Sequence, residues 1–270
     1  MTKKHLLILF CILFFVVVII VLNSTVFTLQ NAKAVFVSYN DDGETIYVDA
    51  PEKYNTLSAM NLVENFKGKN LFFLSSSKII EQVHLKCPDL KVVAIRRIFP
   101  NVVEIFVTER QPVAYFEQNG YFYLVDSEMH VMEVSSSLDY QNRYIRLDIS
   151  ALLVSEQEVG KQVSLLDSSK VDLISDTFTA IWRTKFENVE MPNLLTNISF
   201  DTYKNIESMV LHTKTGAKIW LIGESTEESS TFQKLQSGLA VYGENSHGDN
   251  TKEGVNIYCY DPDAKNVVVG

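Results

Sequence analysis

The chain has 270 residues, 46% of them hydrophobic and 21% charged, which is enough apolar material for about two packed domains and argues against general disorder. Its 24 basic and 33 acidic residues give a net charge of −9 with no basic stripe, which excludes a nucleic-acid binder that works by neutralising phosphates. Three widely spaced cysteines, Cys11, Cys87 and Cys259, make neither a disulfide framework nor a zinc-ligand spacing.

The first element is a run of seventeen apolar residues, Leu6–Leu22, without charge, Gly or Pro. At 1.5 Å per helical residue it covers ~25 Å of a ~30 Å hydrocarbon core. Asn23–Leu29 extends it, giving a transmembrane helix over 6–29. Lys3 and Lys4 precede the run, so the positive-inside bias leaves residues 1–5 in the cytoplasm and exports the chain beyond the helix. The rival is a cleaved signal peptide, with Ala32-Lys33-Ala34 as its small-residue pattern and a soluble adaptor released at Ala34. The run exceeds the ~7–15 residues of a signal h-region, which favours the anchor.

Residues 30–44 are a linker or an extra strand: Val35–Tyr39 either pairs with Thr45–Val48 across Asp42-Gly43 or bridges from the membrane. Residues 45–110 read as strand, helix, helix, strand, strand. Thr45–Asp49 alternates as a short strand. Thr56 caps a helix carrying Leu57, Met60, Val63 and Phe66 on one side, closed by Gly68. Ser75–Ser77 caps a second helix with Ile79, Ile80 and Val83 inward, ended by Pro88. Leu90–Ile98 and Val102–Thr108 are β-branched strands joined by Phe99-Pro100-Asn101, and Val103, Ile105 and Val107 share a face.

Residues 111–270 read as a second domain of strands with two helices. Pro112–Phe116 and Tyr121–Val125 flank Asn119-Gly120, a strong hairpin signal. Ser168–Phe186 is an amphipathic helix with Val171, Ile174, Phe178, Ile181 and Trp182 on one face. Met209–His212 and Ala217–Ile222 form a hairpin around Lys214-Thr215-Gly216. Ser230–Tyr242 is a second helix with Phe232, Leu235, Leu239 and Tyr242 inward, and Gly243–Gly254 is a polar loop. Val255–Tyr260 and Asn266–Val269 form a terminal hairpin turned by Asp261-Pro262-Asp263.

An exported, tethered domain raises the case of a cell-wall enzyme. Ser75-x-x-Lys78, Ser175-Asp176-Thr177 and Lys214-Thr215-Gly216 follow the order used by penicillin-binding acyltransferases, where the lysine helps deprotonate the serine. Such short patterns recur by chance. The middle motif lacks its third-position Asn and falls inside a helix, while Lys214-Thr215-Gly216 sits where a hairpin needs Gly. The five histidines, His5, His84, His130, His212 and His247, never adopt HxH or HExxH spacing. No G-x-S-x-G or Walker-type loop occurs. Glu227-Glu228 and Asp41-Asp42 read as solvated turns, and Cys87 and Cys259 as small buried hydrophobes. No catalytic, metal or cofactor site is expected.

The stretch from Gly68 to Ala114 carries G-K-N-L-F at 68–72 and, from Pro88, P-D-L-K-V-V-A-I-R-R-I-F-P-N-V-V-E-I-F-V-T-E-R-Q-P-V-A. It resembles the POTRA domain of the FtsQ/DivIB cell-division family, and the terminal hairpin resembles that family's last two strands. Two positions depart from the pattern: Ala50-Pro51 replaces a Gly after the first strand, and Met129 stands where the family places Gly after Tyr123–Asp126. The resemblance implies an α+β architecture: one transmembrane helix, a POTRA domain over 45–110, and a mixed, mostly antiparallel β domain over 111–270. It also implies a noncatalytic bitopic scaffold of septum formation at the plasma membrane. Its partners would be FtsB/DivIC-like and FtsL-like proteins bound by β-strand addition, and through them the septal peptidoglycan synthases. Partner contact falls to Tyr258, Tyr260, Asn266, Val267, Val268 and Val269, because an edge strand presents unpaired backbone groups. Arg96, Arg97 and Phe99 are a weaker second surface. The different-class alternative is the serine acyltransferase with Ser75, Lys78 and Lys214.

Overall fold

The computed structural model describes residues 3–21, 26–40, 43–137, 143–183, 194–223, 228–244, 253–260 and 267–270. It is a mixed α+β structure of two compact units, Met1–Arg110 and Gln111–Gly270.

The first unit opens with helix α1, Lys3–Val21, in which sixteen apolar residues follow His5. They rise only ~24 Å, and among the described residues no helix is long and apolar enough to cross a membrane. The expected extension to residue 29 does not form. Thr28 instead bridges to Asn70, Leu29 donates to the Lys69 carbonyl at 2.9 Å, and its side chain is fully buried in the core of the first unit.

Beyond α1 the unit is a four-stranded sheet ordered β2-β1-β4-β3. The strands are β1 (Asn31–Tyr39), β2 (Thr45–Tyr47), β3 (Leu90–Ile98) and β4 (Val102–Glu109). Of the two readings of residues 30–44 the strand is the one found, and Val35–Tyr39 pairs antiparallel with the strand beginning at Thr45 as that reading expected. β1 pairs antiparallel with β2 and parallel with β4, from Asn31↔Val102 to Phe36↔Val107, and this places it inside the sheet. Phe36 and Val37 are buried, whereas all three residues of β2 are exposed. Thr45–Asp49 thus supplies a short edge rather than the leading strand.

The helix expected from Thr56 is also shorter. Helix α2 covers Ala59–Leu62 from Ser58, and a 3-10 turn follows at Glu64–Phe66. Val63, at φ −121° and ψ 21°, breaks the α geometry between them. Leu62, Val63 and Phe66 enter the core, and Gly68 closes the segment at φ +78°, a conformation that L side chains resist. Helix α3, Ser76–Lys86, starts from Ser75, whose Oγ accepts the Lys78 backbone N–H, and it buries Ile79 and Val83. Val103, Ile105 and Val107 are fully buried along one face of β4.

The second unit is one nine-stranded sheet ordered β13-β12-β11-β10-β9-β8-β5-β6-β7. Its first half comprises β5 (Pro112–Gln118), β6 (Tyr121–Asp126), β7 (Val131–Ser135) and β8 (Ile145–Asp148). The second half comprises β9 (Leu195–Tyr203), β10 (Ile206–Thr213), β11 (Lys218–Ile222), β12 (Asn256–Cys259) and β13 (Val267–Val269). Three neighbouring pairs, β5/β8, β8/β9 and β11/β12, are parallel and the others antiparallel. Helices α4 (Ser169–Arg183) and α5 (Glu228–Glu244) join the core on one face, through Phe178, Ile174, Leu235 and Leu239 against Ile198, Leu211, Ile219 and Ile257.

Two of the three hairpin turns predicted in this unit use left-handed residues, Asn119 (φ 53°) with Gly120 (φ 80°), and Gly216 (φ 90°). Met129 takes the family's Gly position at φ 60°. Asp126 Oδ1 accepts the backbone N–H groups of Glu128 and His130 at 3.0 and 2.8 Å, and the Met129 side chain is fully buried. Local hydrogen bonds and burial together hold the turn without glycine. The turn at Asp261-Pro262-Asp263, nearly all of the Gly243–Gly254 loop, and the Trp182 side chain lie outside the described residues.

Candidate functional site

Strand alternation sends the second face of the large sheet away from α4 and α5. Its centre is polar: Arg146 and Asp148 pair at 2.8 Å, Asn197 donates to Asp148 at 2.7 Å, and Ser199 Oγ meets His212 Nε2 at 2.9 Å. Burial, reinforced by Lys218, lowers the His212 pKa below its ordinary value.

Toward β13 the face becomes aromatic. Tyr258 and Tyr260 leave the strand on the side opposite the core residues Ile257 and Cys259, and they meet Tyr203 and Trp220. Ring centroids lie 4.5 Å apart for Tyr203–Tyr258, 5.9 Å for Trp220–Tyr258 and 6.1 Å for Tyr203–Tyr260. Trp220 Nε1 donates to Asn256 Oδ1 at 2.9 Å, so the ring is fixed at its polar end. The hydrogen bond between Tyr203 and Tyr260 lowers the Tyr203 hydroxyl pKa and raises that of Tyr260, with Lys204 adding to the fall at Tyr203. Val268, half-exposed, stands opposite Tyr258 and continues this plate to the sheet rim.

The two rims of the sheet differ. At β7, Val131 donates to the Lys161 carbonyl at 2.9 Å and accepts from Gly160 at 2.8 Å, so the chain's own 160–161 segment closes the start of that edge. At β13, Asn256 and Gly270 exchange both backbone bonds at 2.9 Å. Antiparallel alternation then turns the Val268 N–H and C=O toward Tyr258, and those of Val267 and Val269 outward. Among the described residues no strand pairs beyond β13.

The partner-contact residues read from the sequence therefore divide. Tyr258 lies in β12, whose backbone is engaged on both sides, so it offers a ring and no free edge. Tyr260 adds a second ring. Val267–Val269 form the open rim, and Asn266 lies outside the described residues. In the first unit, Arg96 pairs with Glu104, Arg97 donates to the Leu74 carbonyl at 2.6 Å, and Phe99 stacks on Phe72 at 4.7 Å.

Each part of the acyltransferase constellation has a local structural role of its own. The Ser75 Oγ caps α3 and shares a 2.7 Å hydrogen bond with Ser77, while Lys214 belongs to the other unit's hairpin turn. Ser175-Asp176-Thr177 is mid-helix, with Thr177 Oγ1 donating to the Leu173 carbonyl at 2.8 Å. Sequence spacing did not single out Asp126, Glu128 and His130, which bring ligand-type atoms within 4.8 Å of one another. Asp126 is already engaged in closing the Met129 turn, which accounts for the grouping structurally.

No family model matches the chain. It is 27% identical over 141 residues to the cell division protein DivIB of Clostridium acetobutylicum, a match covering 50% of this chain and 55% of that protein, so the chain spans about half the length of that relative. Among solved structures it is similar to the major extracytoplasmic domain of DivIB from Geobacillus stearothermophilus, at 10% identity and a TM-score of 0.29, over 50% of this chain and 90% of that one. The sequence relative bears out the resemblance to the FtsQ/DivIB family.

Proposed function

We propose that this chain, similar to the FtsQ/DivIB cell-division proteins, is a noncatalytic, membrane-anchored scaffold of septum formation that accepts a partner strand at β13. The observation that carries the reading is the asymmetry of the large sheet's rims. One rim is closed at its start by the chain's own Gly160–Lys161, while at the other the outward groups of Val267 and Val269 meet no strand among the described residues and the face continues into four ordered aromatic rings. An added strand gains backbone hydrogen bonds at the rim and apolar contact on the plate, with little ordering cost because the rings are already packed. The occupants that fit the resemblance are the extracytoplasmic segments of FtsB/DivIC-like and FtsL-like proteins. The first unit is the POTRA domain, and Leu6–Leu22 is the anchor, a short span that a bilayer accommodates by local thinning.

The test separates rim from fold. Val269→Pro removes an outward N–H at an edge position where proline fits, whereas Val268→Pro removes a bond to Tyr258. Losing that outward bond, worth ~0.5–1.5 kcal/mol, together with the steric bulk of the ring, is expected to weaken binding of a DivIC-like segment roughly tenfold with unfolding unchanged. Unchanged binding by Val269→Pro would refute strand addition at β13.

A further inference from the structure

At the start of the first folded unit, three backbone segments converge. Leu71 donates to the Phe27 carbonyl at 2.8 Å, Thr28 bridges to Asn70, and Gln30 and Asn31 both donate to the Asn101 carbonyl. The result is a cluster of rings, Phe27–Phe72 at 5.2 Å, Phe27–Phe99 at 5.9 Å and Phe72–Phe99 at 4.7 Å. Asn70 caps the 3-10 turn Leu71–Phe73 through the Phe72 N–H at 2.9 Å, which turns Leu71 into the core and presents the two phenylalanines. Phe73 is 85% exposed, Phe72 51%, Phe99 47% and Val26 39%, so the turn holds a contiguous apolar patch outward instead of hiding it.

Two features identify what covers it. Phe27 stands five residues beyond Leu22, the end of the apolar run, a reach of at most ~18 Å even when fully extended. The chain is acidic overall, yet the segments building the patch, 26–30, 67–78 and 96–101, hold Lys67, Lys69, Lys78, Arg96 and Arg97 and no carboxylate. Lys67 and Lys69 are exposed within the segment that leads into the Leu71–Phe73 turn, with Lys69 Nζ 4.9 Å from the Phe66 ring centroid, while Arg96 is engaged by Glu104. An aromatic patch with a cationic margin, tethered this close to an anchor, matches an interface of anionic headgroups over acyl chain.

We propose that Phe72, Phe73 and Phe99, flanked by Lys67 and Lys69, dip into the outer leaflet and fix the first unit against the membrane surface. This rests on the reading of Leu6–Leu22 as an anchor. The experiment uses the full chain in vesicles of phosphatidylcholine and phosphatidylglycerol that carry brominated acyl chains, with Phe73→Trp as the probe and the wild-type emission subtracted. The control is Tyr47→Trp on exposed β2, at the opposite end of β1 and ~20 Å away along the strand. The expected result is roughly twofold quenching at position 73, as for a ring ~5–10 Å into the interface, with none at 47, and weaker quenching when Lys67→Glu and Lys69→Glu are added. Retention in the vesicles after an alkaline wash with unquenched emission at 73, or equal quenching at both positions, overturns the patch and leaves the anchor standing. Loss of the chain from the vesicles overturns the anchor and the patch together. Emission at 73 that shifts only when a DivIC-like segment is added reassigns the surface to a protein and also overturns the proposal.

Discussion

Gly238 sits where α5 meets the sheet nearest the open rim. A Cβ built there would lie 2.7 Å from Cys259 Sγ and 2.9 Å from Ile219 Cγ2, and both neighbours are fully buried. In an unobstructed helix interior Gly→Ala stabilises by ~0.8–1 kcal/mol. Against that, forcing a methyl into a filled contact costs ~1–3 kcal/mol, because α5 or the β11–β12 backbone must shift. Gly238→Ala is therefore expected to destabilise the second unit by about 1 kcal/mol, and Gly238→Val by more. Urea unfolding followed by tryptophan emission reads that unit, since both tryptophans, Trp182 and Trp220, belong to it. Cys259→Ala removes the nearer obstruction, so in a double-mutant cycle the cost of Gly238→Ala should fall by at least ~0.5 kcal/mol. Stabilisation by Gly238→Ala regardless of Cys259 would refute the close approach of helix and sheet.

The remaining predictions concern titration and burial. Burial pushes the Cys259 thiol pKa up to about 12, so a thiol reagent at pH 8 should leave it unmodified in the native chain and label it in urea; rapid native labelling, read by mass spectrometry, would contradict its packing. Because the folded chain lowers the His212 pKa below its ordinary 6.5, the unfolded chain binds that proton first. The second unit should thus lose stability as pH falls below 6.5, and His212→Gln should flatten the slope; a slope unchanged in the variant would refute the assignment. In the first unit, burial raises the Asp89 pKa, but hydrogen bonds from Tyr54 and from Lys53 at 3.0 Å outweigh it and hold the carboxyl below its ordinary 3.8. Tyr54→Phe should cost ~1 kcal/mol at pH 7. The deficit should shrink as acid protonates Asp89 in both proteins, below pH 3.8. An equal deficit at every pH would contradict the ionic part.

Much of the fold was legible where local chemistry dictates conformation. Asn119-Gly120 and Gly216 sit at left-handed positions that their residue types favour, Ser75 has a cap's hydroxyl, and α4 carries its apolar spacing along a single face. What stayed hidden was non-local. β1 finds its parallel partner in β4, so nothing near residue 31 marks it as an interior strand, and the same holds for β8 against β5 and β9. Met129 reads as a poor turn residue because the compensating bonds come from Asp126. At the site, sequence indicated the terminal hairpin and its tyrosines but not their division of labour. How much of a rim is open depends on whether a distant segment folds back over it, as Gly160–Lys161 does over the start of β7. The Ser-x-x-Lys and Lys-Thr-Gly patterns read as chance matches for a local reason too, being short enough to arise from a helix cap and a hairpin turn.

Residue-resolved amide exchange across Val267–Gly270, in the full chain with and without saturating DivIC-like segment, addresses the rim directly. In the free chain the Val268 amide, bonded toward Tyr258, should exchange slowly and the outward Val269 amide fast. Addition of the segment should slow Val269 by roughly tenfold or more and change Val268 far less. A Val269 amide already slow in the free chain, or one still fast when the segment is bound, would contradict strand addition at β13.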